Sequence, residues 1–250
     1  MNVTRYRLPI LPTASNLRLA VAADLHNKPF DKVLEKIKEE SPDLILIPGD
    51  LMDDEDLLHG DCNGYRFLRA CSEVAPTYYS LGNHELRCYH KGNPWRHPIP
   101  VPLSEETRER IRSTGAVLLE NESISHQGLR ICGLSSGING RKNLPDADTL
   151  KKFDGEDGFR ILLCHHPEYF HPYVKRTGIE LTVSGHAHGG QWRILGQGIY
   201  APGQGLFPKY TSGVLESRLV ISRGLGNHTW IPRIFNSTEL VVIELSEKNE

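Results

Sequence analysis

A chain of 250 residues with 38% hydrophobic and 24% charged side chains is long enough for one large domain and too apolar to be disordered. Its 29 basic and 31 acidic residues leave a formal net charge of −2, so bulk charge offers no reason to expect binding to nucleic acid or to an anionic membrane. Five cysteines without a CxxC spacing exclude a disulfide framework and a zinc knuckle and fit a reducing cytoplasm; the lack of an apolar leader or a long apolar run predicts neither a signal peptide nor a membrane anchor.

Leu17 to Ala22 predicts a strand running into Asp24, and Asp31 to Glu40 a helix with Val33, Leu34 and Ile37 on one face. Ser41-Pro42 stops that helix, and Leu44 to Ile47 reads as a buried strand leading into Pro48-Gly49-Asp50. A helix around 65–72 and a strand around 77–80 complete a β-α-β-α-β series, which implies right-handed crossovers and a largely parallel sheet. The stretch 87–103 holds four prolines and reads as a loop over the site. A polar helix around 104–113 follows, closed by Gly115. Strands recur at about 117–119, 129–134, 159–163 and 180–183, residues 139–157 read as another loop, and the glycine-rich last third ends in a strand at 240–245. There is no internal repeat or linker, so residues 1–250 read as a single α/β domain.

Five polar segments each end one of these apolar runs: Asp24-Leu25-His26, Gly49-Asp50, Gly82-Asn83-His84-Glu85, His165-His166, and Gly185-His186-Ala187-His188-Gly189-Gly190-Gln191. Singly, Asp24-Leu25-His26 reads as a solvated turn and Gly49-Asp50 as a common turn pair. Together they supply carboxylate, amide and imidazole donors of the kind that hold divalent first-row metals. Asp24 and His26, like His186 and His188, are two residues apart, so in extended chain both members of a pair reach one cation. Gly49 and Gly82 permit tight turns after their strands. Sites in open α/β sheets gather beyond the carboxyl ends of strands, where all five segments fall. Cys164 reads as a buried strand residue, with no paired base for a cysteine mechanism.

The order D-x-H, G-D, G-N-H-[ED], a later His, and G-H-x-H resembles the calcineurin-like metallophosphoesterases over roughly residues 18 to 191. Tyr200-Ala201-Pro202-Gly203 and Ser222-Arg223-Gly224-Leu225-Gly226 extend the likeness toward a branch with membrane-anchored phosphodiesterases and UDP-diacylglucosamine diphosphatase-like proteins, here without the anchor. The resemblance implies a four-layer α/β/β/α sandwich of the metallo-dependent phosphatase type. It implies two divalent ions, Mn²⁺, Fe²⁺/Fe³⁺ or Zn²⁺: Asp24, His26, Asp50 and His188 would hold one, and Asp50, Asn83, His165 and His186 the other. A metal-bridging hydroxide would be the nucleophile, Asp50 the bridging ligand, and His84 the donor of a proton to the leaving group.

The implied function is hydrolysis of a small phosphorylated substrate, a phosphodiester or diphosphate, without specific nucleic-acid binding. A phosphomonoesterase, protein phosphatases included, is the alternative of the same class; a scaffold that keeps the fold without catalysis is the alternative of another. For the substrate, Arg87 and Arg193 are candidates to grip a phosphate through paired hydrogen bonds, against the reading of solvated surface arginines. His90 and His166 are candidates to line the pocket. Arg233 and Asn236 are expected to fix a loop.

Overall fold

The computed structural model describes residues 1–11, 16–53, 56–58, 60–86, 101–137, 144–227 and 232–247. Its first half contains β1 (Asn2–Leu11), β2 (Leu17–Val21), α1 (Asp31–Glu40), β3 (Leu44–Ile47), α2 (Asn63–Ser72), β4 (Thr77–Ser80), α3 (Glu105–Arg112) and β5 (Val117–Leu119). The second half contains β6 (Glu122–His126), β7 (Leu129–Leu134), α4 (Ala147–Asp154), β8 (Phe159–Cys164) and β9 (Leu181–Ser184). Four two-residue strands follow, β10 (Arg193–Ile194), β11 (Gln197–Gly198), β12 (Tyr200–Ala201) and β13 (Gly205–Leu206). The last three are β14 (Gly213–Leu215), β15 (Leu219–Ile221) and β16 (Glu239–Glu247).

Two mixed six-stranded sheets form the centre, ordered β1-β16-β2-β3-β4-β5 and β14-β15-β9-β8-β7-β6. Strands β2 to β5 are parallel, as are β7, β8, β9 and β15. Strand alternation sorts the core into layers. In the first sheet Leu19, Val21, Leu44 and Leu46 point toward Ile131, Ile161, Leu163 and Val183 of the second. Ala20, Ile45, Ile47 and Tyr79 point the other way, onto Val33, Ile37, Phe67, Leu68 and Ile111 of α1, α2 and α3. The outer face of the second sheet, with Cys132, Leu162 and Ile221, packs on Leu150 and Phe153 of α4 and on Phe170 and Val174. This is the expected four-layer sandwich. Its central strands read as unbroken apolar runs because both of their faces are covered.

Three elements were not expected. β1 is an edge strand, paired parallel to β16 and tied down by Arg5–Glu40 and Thr4–Glu239. β6 is a half-exposed edge hairpin partner of β7. α4 lies inside 139–157, taken above as loop: Asp146 caps it by accepting from the amides of Asp148 and Thr149, both at 3.0 Å, and Leu150 and Phe153 bury its apolar face. α3 ends at Arg112 with Ser113 as its cap, two residues before Gly115 (φ 89°).

Candidate metal centre

Both sheets direct the carboxyl ends of parallel strands at one place. Asp24 and His26 follow β2, Asp50 follows β3, Asn83 and His84 follow β4, His165 follows β8, and His186 and His188 follow β9. Main-chain hydrogen bonds lock these loops together: Asp24 N to Gly49 O at 3.1 Å, His26 N to Asp50 O at 3.1 Å, and Gly185 N to His165 O at 3.2 Å. Five of the seven candidate ligands are left-handed, with φ of 54° at Asp24, 49° at His26, 52° at Asp50, 66° at His186 and 46° at His188. Asp and His tolerate that region better than most residues, but each instance costs about 1 kcal/mol or more, and such costs persist where function holds the backbone. Gly82 is required by proximity, since a Cβ there would lie 2.5 Å from the Asp50 amide nitrogen.

The buried donor atoms form two groups. Asp24, His26 and His188 make one and Asp50, His165 and His186 the other, all donor atoms of a group lying within 4.8 Å of each other. His26 Nε2 is 3.3 Å from His188 Nε2, a spacing that two nitrogens adopt on one ion with bonds of about 2.1 Å. His165 Nε2 lies 3.0 Å from Asp50 Oδ2 and 3.1 Å from Asn83 Oδ1. Asp50 Oδ2 is also 4.0 Å from His26 Nε2, so this carboxylate stands between the two groups. The donor set is oxygen and imidazole with no thiolate, a set that suits first-row divalent cations.

Residues 17 to 190 match the family described as calcineurin-like phosphoesterase. The chain belongs to that family. An uncharacterized metallophosphoesterase of Campylobacter jejuni, Cj0846, is 28% identical over 90% of this chain and 56% of that protein. A Helicobacter pylori metallophosphoesterase is 27% identical over 70% of this chain and 45% of that protein. The chain thus spans about half the length of these two relatives. The phosphodiesterase YaeI of Escherichia coli is 25% identical over 89% of this chain and 80% of its own length.

The electrostatics of the donor atoms in this member of the family suit a bound cation. Burial, reinforced by Asp50, raises the Asp24 carboxyl above its usual range despite His165. Burial acts the same way on Asp50, but there His165, His84 and His26 overcome it and hold the carboxyl well below the usual range. Burial and the neighbouring imidazoles His166 and His165 push His186 well down; burial, His26 and Arg233 do the same to His188. Both are therefore neutral, the form in which imidazole binds a metal. His165 is the exception. Burial works to lower it, yet Asp50 and Asp24 carry it up to about 9 from an ordinary 6.5.

That exception has a measurable consequence. In the metal-free protein the charged His165 contributes stability that is full below pH 6.5 and lost as pH rises through about 9. A cation held by His165 would have to displace that proton. The apparent Mn²⁺ affinity of that site is expected to rise about tenfold per pH unit between 6.5 and 9 and then level off. Calorimetric titrations in buffers of different ionisation enthalpy read the released proton directly, and an affinity flat across that window would contradict the assignment.

Other predicted residues fall as follows. His166 is buried, with its ring 4.3 Å from that of His186, Nδ1 3.2 Å from Glu168 Oε1, and Nε2 without a hydrogen-bond partner among the described residues. Arg193 turns its guanidinium onto the carbonyls of Gly189 and Gly196 and the Thr211 hydroxyl. Arg87 and His90 lie outside the described residues. Arg233 and Asn236 fix a loop, as expected: Asn236 Nδ2 donates to His188 O at 2.7 Å, and Arg233 donates to the carbonyls of Arg223 and Gly226. Arg233 Nη2 also lies 3.0 Å from His188 Nδ1.

Two carboxylates had no role in the sequence reading. Asp53 Oδ1 is 2.8 Å from His84 Nδ1 and 3.1 Å from His26 Nδ1, orienting both rings. Glu85 is fully buried and accepts from four amides and a phenol, joining the loops after β3 and β4. The only signals available were positional, Asp53 three residues beyond Asp50 and Glu85 closing the Gly82–Glu85 segment.

Proposed function

We propose that this chain, as one domain spanning residues 1–250, is a dinuclear-metal phosphodiesterase or diphosphatase. Asp24, His26, Asp50 and His188 hold one cation and Asp50, Asn83, His165 and His186 the other, with Mn²⁺, Fe or Zn²⁺ as suitable ions. When bound, such a pair neutralises phosphoryl oxygens and supplies a nucleophile at neutral pH from water. The protein's part is to hold the donors deprotonated and in register, and to deliver a proton.

The observation that carries the diester reading is the setting of His84. Its Nδ1 is tied to Asp53 at 2.8 Å, and its Nε2 lies 3.9 Å from Asp50 Oδ2, facing the centre. Burial would lower its pKa, but Asp50, Asp53 and Glu85 raise it above the ordinary value, which favours the protonated ring that a proton donor needs. An imidazolium beside the reacting group can protonate a departing alkoxide, which a diester or diphosphate with a poor leaving group needs most. The name of the YaeI relative, a phosphodiesterase, agrees.

The test compares His84→Ala with the parent on two diesters, bis(p-nitrophenyl) phosphate and a dialkyl phosphate whose only leaving group is an alkoxide. The alkoxide reaction is expected to fall about 10²–10³-fold, the nitrophenolate reaction far less, because nitrophenolate leaves unprotonated. Equal losses on both would remove His84 as the acid. A parent enzyme faster on p-nitrophenyl phosphate than on either diester would favour the monoesterase.

A further inference from the structure

No helix among the described residues is long and apolar enough to cross a membrane, yet the structure carries a surface suited to lie on one. Eight of the twelve exposed large apolar side chains among the described residues fall between 192 and 235. They include Trp192 at 41%, Ile194 at 62%, Leu195 at 104%, Leu206 at 71%, Phe207 at 69% and Phe235 at 88% exposure. Monomeric proteins scatter such residues singly; a concentration of them marks an interaction surface.

These residues share one lobe. The β10–β11 hairpin is bridged to Ile234 through Trp192 and through Arg193 N to Ile234 O at 3.0 Å. Ile199 N donates to Trp192 O at 2.8 Å, and Phe207 N to Ile199 O at 2.8 Å, which ties in the β12–β13 hairpin. The lobe grows directly from the His186–His188 segment, and Asn236 clasps His188 O, so it adjoins the metal centre.

Three of the most exposed apolar residues are also strained. Leu195, Phe207 and Phe235 have φ of 49°, 51° and 52°, a region where bulky side chains are outliers. Glycine or asparagine would satisfy each turn at lower cost. An apolar side chain held in an unfavourable backbone conformation and facing water has two costs, and neither is offset by packing among the described residues. The arrangement makes physical sense when those tips enter an apolar phase.

Charge identifies that phase. From Gly185 to Leu215 and from Ser222 to Thr238 the sequence has no Asp or Glu, while Arg193, Lys209, Arg223 and Arg233 lie within these stretches. Among the described residues only Arg223 of the four is paired with a carboxylate, Glu239. The near balance of the whole chain therefore conceals a lobe that is cationic as well as apolar. We propose that this lobe docks on an anionic phospholipid bilayer, with Leu195, Phe207 and Phe235 entering the interface and the exposed Lys209 meeting the headgroups, inside a positive field to which Arg193 and Arg233, bound to uncharged main-chain carbonyls, add. The inference does not depend on which phosphoester is hydrolysed.

Flotation of the metal-loaded protein with vesicles tests it. Binding is expected on phosphatidylcholine vesicles containing phosphatidylglycerol, with weakening in high salt and little binding to phosphatidylcholine alone. The triple variant Leu195→Asn, Phe207→Asn, Phe235→Asn is expected to lose at least about tenfold in the bound fraction. Because asparagine suits the left-handed backbone, the same variant should melt no lower than the parent and keep its rate on bis(p-nitrophenyl) phosphate, which separates docking from folding. No flotation of the parent, or equal flotation of parent and variant, overturns the proposal. So does a dimer in sedimentation velocity that the variant abolishes without any vesicle binding, since the occupant would then be a second copy of the chain.

Discussion

Replacing Glu85 by alanine is expected to lower the melting temperature by roughly 10 °C, although Glu85 is neither a candidate ligand nor near the surface. Its carboxylate accepts from the amides of Asp50 at 3.0 Å, Leu51 at 2.6 Å, Met52 at 3.1 Å and Gly82 at 2.8 Å, and from the Tyr79 hydroxyl at 2.7 Å. Removal leaves five buried donors facing a void. Each unsatisfied donor costs about 1–3 kcal/mol, and water entering the space recovers part of the sum. A net loss of about 4 kcal/mol is a reasonable centre, and a domain of this size shifts by about 2–4 °C per kcal/mol. Glutamine is no conservative substitute, because its amide nitrogen would present a donor to donors. Differential scanning calorimetry of metal-loaded parent and variant gives the answer. A shift under about 2 °C would mean that these loops are held together by something other than the carboxylate.

Asp50→Asn is expected to remove diester hydrolysis by at least about a thousandfold, equivalent to about 4 kcal/mol of transition-state stabilisation. Asp50 stands between the two donor groups, with Oδ2 3.0 Å from His165 Nε2 and 4.0 Å from His26 Nε2. An amide would offer a single weak neutral acceptor where the proposed site calls for an anion shared by two cations. Metal content is expected to drop from about two ions per chain to about one, as elemental analysis after desalting would show. The substitution also withdraws the main force that raises His165, so the proton release described above should shrink in the variant. Two ions bound with an undiminished rate would end the bridging assignment. Together with Glu85→Ala, this variant separates building the site from running it: one should melt early, the other should fold and fail to turn over.

Much of this was legible in the chain. The bounds of β3, β4, β5 and β7 match the strands expected from the sequence; in β3, Leu-Ile-Leu-Ile, the reason is that a strand buried on both faces is apolar until the chain emerges. The seven candidate ligands stood out only as a set, since Asp24-Leu25-His26 and Gly49-Asp50 singly read as turns and the five segments together carry a metal-binding donor set. α4 escaped notice although Asp146 capped it and Leu150 and Phe153 gave it a face; eight residues make a weak periodic signal. β1 escaped because its alternating Arg5, Tyr6, Arg7 and Leu8 describe an edge strand, whose identity comes from its partner β16.

What the sequence determined by itself is the kind of protein: the donors, their order, and the strands that carry them. What only the tertiary structure decided is every property summed through space. Asp53 orients two imidazoles 27 and 31 positions away from it, Glu85 gathers amides from two loops, and His165 is raised while His186 and His188 are lowered in the same cluster. The cationic, apolar lobe is likewise invisible in a net charge of −2. Coulomb interaction, desolvation and hydrogen bonding depend on distance and burial, which are set only once the sheets have packed and brought distant loops together.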